Sequence, residues 1–456
     1  MGNSIFSWLN ENPAGKAFLV VFLIILLQIP INTIRSLVYE RQSTERGAIE
    51  EVQSKWGGEQ FVSGPMLVIP YKVKRLWHNA ETGKKELKTY IEKAVFFPQE
   101  YRVTGNLHSE TRYRGIFEVP LYKSKIRFEG YFNEPDFSDW EIQQKDVLWK
   151  KARLIMPVSD ARSIQKQASL DWNGGKLQFL PGTDQVVGNK EGYHVPLNQF
   201  EGSQDHYTFE FELLLNGSKS LYFAPLGNNS LIEIIAPWKD PSFQGKWLPT
   251  TREVTDAGFR SQWQIPYLGR NYPQKTRDFS SIKEHLSDSM VGVELIRPVD
   301  NYRMTQRSLK YQLVFFALTF AVIWIMELMV GLRLHLMQYL FIGAGLCMFY
   351  LLELSLSEHL GFYWAYAIAA AAVVTMVSSY SYVVVRTPKR VAIIGVGLTV
   401  LYLYLLSLLQ EQNYSLLIGS LGLFLVLGFA MYATRRIDWH QMMSKPILEP
   451  PLKEGV

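Results

Sequence analysis

Cysteine is nearly missing from this chain: Cys347 is the one such residue among 456, which excludes a disulfide framework and any C-x-x-C redox or zinc pair. Also missing are H-E-x-x-H, the G-x-S-x-G nucleophile elbow and the P-loop, the signatures of a zinc protease, an α/β-hydrolase and a phosphate cradle. Ser280-Ser-Ile-Lys283, followed by Ser287-Asp-Ser289, has the outline of the S-x-x-K and S-D-N elements of penicillin-interacting serine enzymes. The K-T-G element is lacking, and a four-residue gap leaves no room for the fold that brings those elements together. Ser163-Ile-Gln-Lys166 shows how cheaply the first element arises. The expectation is a protein that is not an enzyme and holds no cofactor and no metal. No repeat of fixed period is present. Lys72, Lys74, Arg75, Lys84 and Lys85 are interleaved with aromatic residues, but acidic residues are as plentiful and the net charge is only +5. That stretch reads as a solvated strand face, and no nucleic acid is expected as a partner.

What is present is a segregation of apolar residues that a mean hydropathy of −0.02 conceals. Ala17 to Ile34 carries no charge and is long enough to cross a hydrocarbon core of roughly 30 Å. No A-x-A-like cleavage site follows, so it reads as an uncleaved anchor. Five more apolar runs, near Tyr311–Gly331, Gln338–Leu356, Tyr363–Val385, Val391–Gln410 and Leu416–Ala433, are each about a bilayer long. Arg333, then Arg386, Lys389 and Arg390, then Arg435 and Arg436 occupy alternate connections, whereas 357–362 and 411–415 have neither Lys nor Arg. By the positive-inside rule both termini are cytoplasmic and the long central segment is outside. The expected fold is a mixed membrane protein with six transmembrane helices arranged one plus five. A large β-rich, sandwich-like periplasmic domain is inserted between the first two. Boundaries follow: 1–35 for the amino terminus and anchor, 36–308 for the periplasmic domain, 309–435 for the five-helix bundle, and 436–456 for a cytoplasmic tail.

The central segment combines aromatic and β-branched residues with partial period-two alternation in runs such as Met66-Leu-Val-Ile-Pro-Tyr-Lys-Val and Tyr207-Thr-Phe-Glu-Phe-Glu-Leu-Leu-Leu. Asn-Gly at 173–174 and at 216–217 supplies the positive φ angles of tight turns, so both predict β-hairpins. Helical pieces are expected over Tyr39–Lys55 and Asp160–Lys166.

Polar residues inside the apolar runs are the candidate functional residues. Glu327 lies near the inner end of the second run with Arg333, His335 and Gln338 close behind; Glu353 lies about two turns inside the outer end of the third, followed by Glu358 and His359. An ionised carboxylate at the bilayer centre costs roughly 3 kcal/mol, so each must be neutral, paired or facing a cavity. Glu327 is within reach of Arg333 as a tether, and Glu353 of Ser or Tyr residues on neighbouring runs; the competing reading is an ion or proton path. Glu353, Glu358 and His359 together are a poor metal set, because two are adjacent and no second histidine is near. Gly343, Gly345, Ala365, Ala369, Ala372, Gly395, Gly419 and Gly422 permit close helix approach.

Several segments resemble the CreD family of inner-membrane proteins over nearly the whole chain. The resemblance rests on Pro298-Val-Asp-Asn-Tyr-Arg-Met-Thr-Gln-Arg-Ser-Leu-Lys-Tyr311, on Arg333-Leu-His-Leu-Met-Gln-Tyr-Leu340 and on Met348 to Phe362. Arg114 to Tyr122, Ser159-Asp-Ala-Arg162, Pro241 to Pro249 and Ile437-Asp-Trp439 support it. Leu336 stands where the family pattern has proline, and His440 where it has tyrosine. The resemblance implies a role in cell-envelope integrity, envelope stress and colicin tolerance, with no enzymatic activity and no cofactor. Expected partners are the lipid bilayer, a periplasmic or envelope protein and, as a homo-oligomer, a second copy of the chain. The rival expectation is an ion- or proton-coupled transporter or channel component using Glu327 and Glu353.

Overall fold

The computed structural model describes residues 13–78, 85–183, 191–295, 301–330, 334–385, 387–411 and 414–435. Arg333, Arg386 and everything from Arg436 onward, including His440 and the tail, therefore lie outside the described residues. Two compact units emerge, one of residues 1–45 with 299–456 and the other of residues 46–298. In sequence, a large β-rich domain falls between an amino-terminal apolar helix and a carboxyl-terminal set of helices.

The helices are α1 (Pro13–Leu26), α2 (Gln28–Trp56), α3 (Lys283–Asp288), α4 (Asn301–Val330), α5 (Leu336–Leu360), α6 (Phe362–Val385), α7 (Pro388–Gln410) and α8 (Ser415–Thr434). The junction between α1 and α2 falls just before Pro30, whose ring nitrogen cannot donate back to the Leu26 carbonyl. The amides on either side still bond, Leu27 to Leu23 at 2.9 Å and Ile31 to Leu27 at 3.4 Å, so the chain does not unwind there. Gly15–Trp56, α5, the 362–383 part of α6, and α7 are the four helical stretches among the described residues long and apolar enough to cross a membrane. Helix α5 runs past the expected loop at 357–362 and stops only at Gly361, whose φ of 75° and ψ of 162° no L side chain adopts readily. The expected loop shrinks to that one residue because nothing before it breaks a helix.

Among the described residues the β-rich unit has three sheets, of four, six and eight strands. Pairing is antiparallel except where Gln60–Val62 meets Ser220–Phe223 and where Asn229–Ala236 meets Glu100–Arg114. The long hairpin Glu100–Arg114 and Phe117–Asn133 forms the middle of the largest sheet. One core draws Tyr101, Phe128 and Phe211 from that sheet, Leu67, Ile69 and Tyr71 from the six-stranded sheet, and Val62, Phe223 and Val293 from the smallest. The alternate residues Met66 and Val68 belong to a second cluster with Phe279, Ile282 and Leu286 of the α3 region. The six-stranded sheet is thus buried on both faces there, which explains why its sequence reads Met-Leu-Val-Ile without polar alternation.

Asn173 and Gly174 have φ of 52° and 81° and join the paired strands Ser169–Trp172 and Gly175–Gln178, the hairpin their Asn-Gly pair encodes. The second Asn-Gly pair does something else. The strand His206–Ser218 runs straight through it, with Asn216 opposite Lys123 and Gly217 opposite Tyr122. The chain turns at Lys219 (φ 63°) instead, and Ser220–Phe223 leaves for the four-stranded sheet. Gly217 is required by packing: a Cβ there would fall 2.2 Å from Cζ and Oη of Tyr122. That ring is fully buried and its hydroxyl donates to the Ser220 carbonyl at 2.7 Å, so it has nowhere to go. Gly217→Ala is expected to cost about 1–3 kcal/mol by overpacking, seen as a lower thermal midpoint. The helix expected over Asp160–Lys166 is only the turn Ala161–Ser163, since Ile164 bridges to Leu215 and draws the backbone into an extended form.

Helix α2 continues through residues 46–56 into the β-rich unit, as expected for Tyr39–Lys55. There Glu51 accepts two bonds from Arg114 Nη2, at 3.0 and 3.1 Å, and one from its Nε at 3.2 Å. The Arg112 guanidinium sits 3.8 Å from the centre of the Trp56 ring, a cation–π contact that holds the last turn of the helix against the sheet.

Candidate site: the polar layers of the helical unit

Glu327, on the last turn of α4, is 4% exposed and is fully used. Its Oε1 takes a short charge-assisted bond from Lys16 on α1 and accepts the Leu334 amide at 2.9 Å. Its Oε2 accepts the Tyr339 hydroxyl of α5 at 2.8 Å. The cation that Glu327 holds is thus Lys16, a lone charge one residue ahead of the first apolar run; the expected partner Arg333 lies outside the described residues. Three helices meet on this carboxylate.

His335 and Gln338 have a local task. Met337 N donates to His335 Nδ1 at 3.2 Å and His335 N donates to Gln338 Oε1 at 2.9 Å, a reciprocal capping box at the start of α5. Leu336 is the first residue of that helix, the position where proline is favoured because its missing amide would be unpaired anyway. With both caps made, the leucine leaves the helix start defined.

A second layer lies where α4 begins and α5 ends. Asn301 donates from Nδ2 to the Ser357 carbonyl (3.0 Å), and its Oδ1 accepts the Phe362 amide (3.2 Å). It thereby satisfies the orphan Phe362 amide at the start of α6 and adds a second donor to the Ser357 carbonyl, which already accepts the Gly361 amide. Glu358 accepts the Tyr302 hydroxyl at 2.8 Å and lies 3.7 Å from Arg41 of α2, and Gln306 donates to Gln42 at 2.9 Å. His359 points outward and is exposed. The structure separates Glu358 from His359, and no group of three metal-capable side chains occurs among the described residues. Midway along the first helices, Gln28 and Gln312 exchange amide bonds, the shorter of them 2.7 Å.

Glu353 is fully buried. Its Oε2 accepts the Ser308 hydroxyl of α4 at 2.9 Å, but Oε1 has no partner among the described residues, nor do the hydroxyls of Tyr350 and Tyr402. One turn away, Phe349 is packed by Tyr350, Tyr366 and Tyr402 at ring separations of 5.0, 5.2 and 4.7 Å. Glu327 and Glu353 are not brought together. Tyr339, which binds Glu327, is fourteen residues along α5 from Glu353, roughly 21 Å of helix. Phe316, Phe320, Leu346 and Phe349, all 0% exposed, occupy much of the interior over that stretch, together with the buried Thr319, Cys347 and Tyr350.

Of the residues singled out from sequence, Glu327, Glu353 and Glu358 each join helices, and His335 with Gln338 caps one. Sequence reasoning missed Lys16, Asn301, Tyr302 and Ser308. Lys16 was signalled by its isolation before an uncharged run; Asn301 and Ser308 had no signal, since one amide or hydroxyl at a helix start is common.

The family model described as Inner membrane protein CreD matches residues 12–440 of this chain. Inner membrane protein CreD of Escherichia coli (strain K12) is 31% identical over 423 residues, which cover 91% of each sequence. Among solved structures, the M1 zinc metallopeptidase of Deinococcus radiodurans aligns with a TM-score of 0.22 and 10% identity, over 43% of this chain and 41% of its own. So weak a likeness bears on neither fold nor chemistry.

Proposed function

From the premise that this chain belongs to the CreD family of inner membrane proteins, we propose that it supports cell-envelope integrity without catalysis, through contacts of its β-rich domain with an envelope protein. In this reading six helices cross the membrane, both termini are cytoplasmic, and the bundle serves as an anchor for a periplasmic domain. The observation that carries it is the use made of the membrane carboxylates. Glu327 is spent on Lys16, Leu334 and Tyr339, Glu358 on Tyr302 and Arg41, and an aromatic filling separates Glu327 from Glu353. A proton relay needs titratable groups at hydrogen-bond spacing. Over the roughly 21 Å of helix between the two carboxylates the buried side chains are mostly Phe and Leu, with Tyr350, Cys347 and Thr319 among them, and no chain of hydrogen bonds links Glu327 to Glu353 among the described residues.

One observation favours the transport reading: Glu353 Oε1 with the Tyr350 and Tyr402 hydroxyls is a set of buried polar atoms left unpaired. The two readings part on Glu353→Gln, which keeps an acceptor for Ser308 but cannot ionise. In a strain lacking the protein, Glu353→Gln at wild-type membrane abundance is expected to restore resistance to detergent and dye entry fully. Persistent leakage at matched abundance would remove the anchoring reading and leave ionisable chemistry in its place.

A further inference from the structure

The geometry points to a phospholipid site in the helical unit, with the lipid phosphate on Arg307 and one acyl chain in the crevice between α4, α7 and α8. The crevice has a volume of about 350 Å³ and is lined by Phe315 and Leu318, Leu401 and Leu405, and Leu416 and Leu423. On α4 and α7 these side chains recur at helical spacing, so one face of each helix is turned toward the same space. Arg307, one turn before the lining residue Tyr311 on α4, meets the crevice wall at Leu408. Its Nη2 donates to the carbonyl of Leu408, itself a lining residue, at 3.2 Å. Its Nη1 is buried with no partner, and no carboxylate pairs with this guanidinium among the described residues. Glu411, three residues beyond Leu408, is exposed.

A guanidinium has donors and no acceptor, and leaving its Nη1 buried and unpaired beside an apolar wall is costly. An anionic oxygen is what it lacks. Charge and shape together select the occupant. Arg307 is one turn ahead of the apolar run that begins at Tyr311, the depth at which a lipid phosphate sits, while Leu318 is eleven residues further, roughly 16 Å into the hydrocarbon. A phosphate at one end of an apolar slot of that depth is the outline of a phospholipid. An inorganic anion would leave the slot empty, and a hydrocarbon without a phosphate would leave Arg307 unpaired.

The test uses the full chain, purified in a neutral, phosphate-free detergent and titrated with phosphatidylglycerol under native mass spectrometry. The wild type is expected to hold one lipid through detergent exchange. Arg307→Gln should weaken retention at least tenfold, Arg307→Lys less. Leu401→Trp, which fills the crevice and leaves Arg307 in place, should also weaken it, and decides the matter if the Arg307 variants do not fold. Inorganic phosphate at matched concentration should not displace the lipid. Undiminished retention by Arg307→Gln or by Leu401→Trp, or displacement by phosphate alone, overturns the site.

Discussion

Lys16→Met is expected to destabilise the helical unit by roughly 3–5 kcal/mol, because it leaves Glu327 buried without its cation. Both side chains are shielded, Lys16 at 12% and Glu327 at 4% exposure, so solvent screening offsets little of that. Glu327→Met should cost a similar amount by stranding the ammonium, and also frees the Tyr339 hydroxyl and the Leu334 amide. Joining the two changes in one chain should recover the part of the loss due to a stranded charge, since an apolar pair of similar volume needs no solvation, and leave the cost of the unpaired Tyr339 hydroxyl and Leu334 amide. Unfolding in mixed micelles of increasing denaturing detergent would read all three. Additive losses in the double variant would mean that the two side chains act separately, contrary to their contact.

In the β-rich unit the largest effect is expected at Trp263, a fully buried side chain. Phe243 meets its ring edge-on at 6.0 Å and its Nε1 donates to the Trp247 carbonyl at 3.0 Å. Truncation to alanine removes both and opens a cavity, a loss of about 3–5 kcal/mol. Trp263→Phe keeps much of the volume and strands only the carbonyl, for about 1–2 kcal/mol. Limited proteolysis of the intact protein, followed by loss of fragments from 46–298, should rank them wild type, then Phe, then Ala. Equal protection of all three would show that this core does not limit the unit's stability.

How far these features were legible depended on whether their cause was local. The helices at 336–360, 362–385, 388–410 and 415–434 match the apolar runs closely, because chain length and side-chain hydropathy decide helix formation there before any neighbour is chosen. The helix at 301–330 instead begins ten residues ahead of its apolar run, in a polar stretch that hydropathy does not read. The Asn173-Gly174 hairpin was legible for the same reason: its turn needs only two positive φ angles. Asn216-Gly217 has the same letters and lies inside a strand, since what matters there is the ring of Tyr122, a residue 95 positions earlier in the chain.

The candidate site divides in the same way. That Glu327 and Glu353 need partners follows from composition, because a carboxylate among apolar residues is costly wherever it sits. Which partners they have is a matter of packing: Lys16 and Ser308 come from other helices, and hydropathy says nothing of which helix faces which. The sequence by itself determined the class of protein, its apolar helices, its β-rich central domain and the list of side chains that cannot be left alone, all set by the chemistry of single residues and short runs. The tertiary structure decided that Glu327 is a joint, that Glu353 is half paired, and that Arg307 bonds the wall of a crevice at Leu408, because those depend on distances between residues remote in the chain.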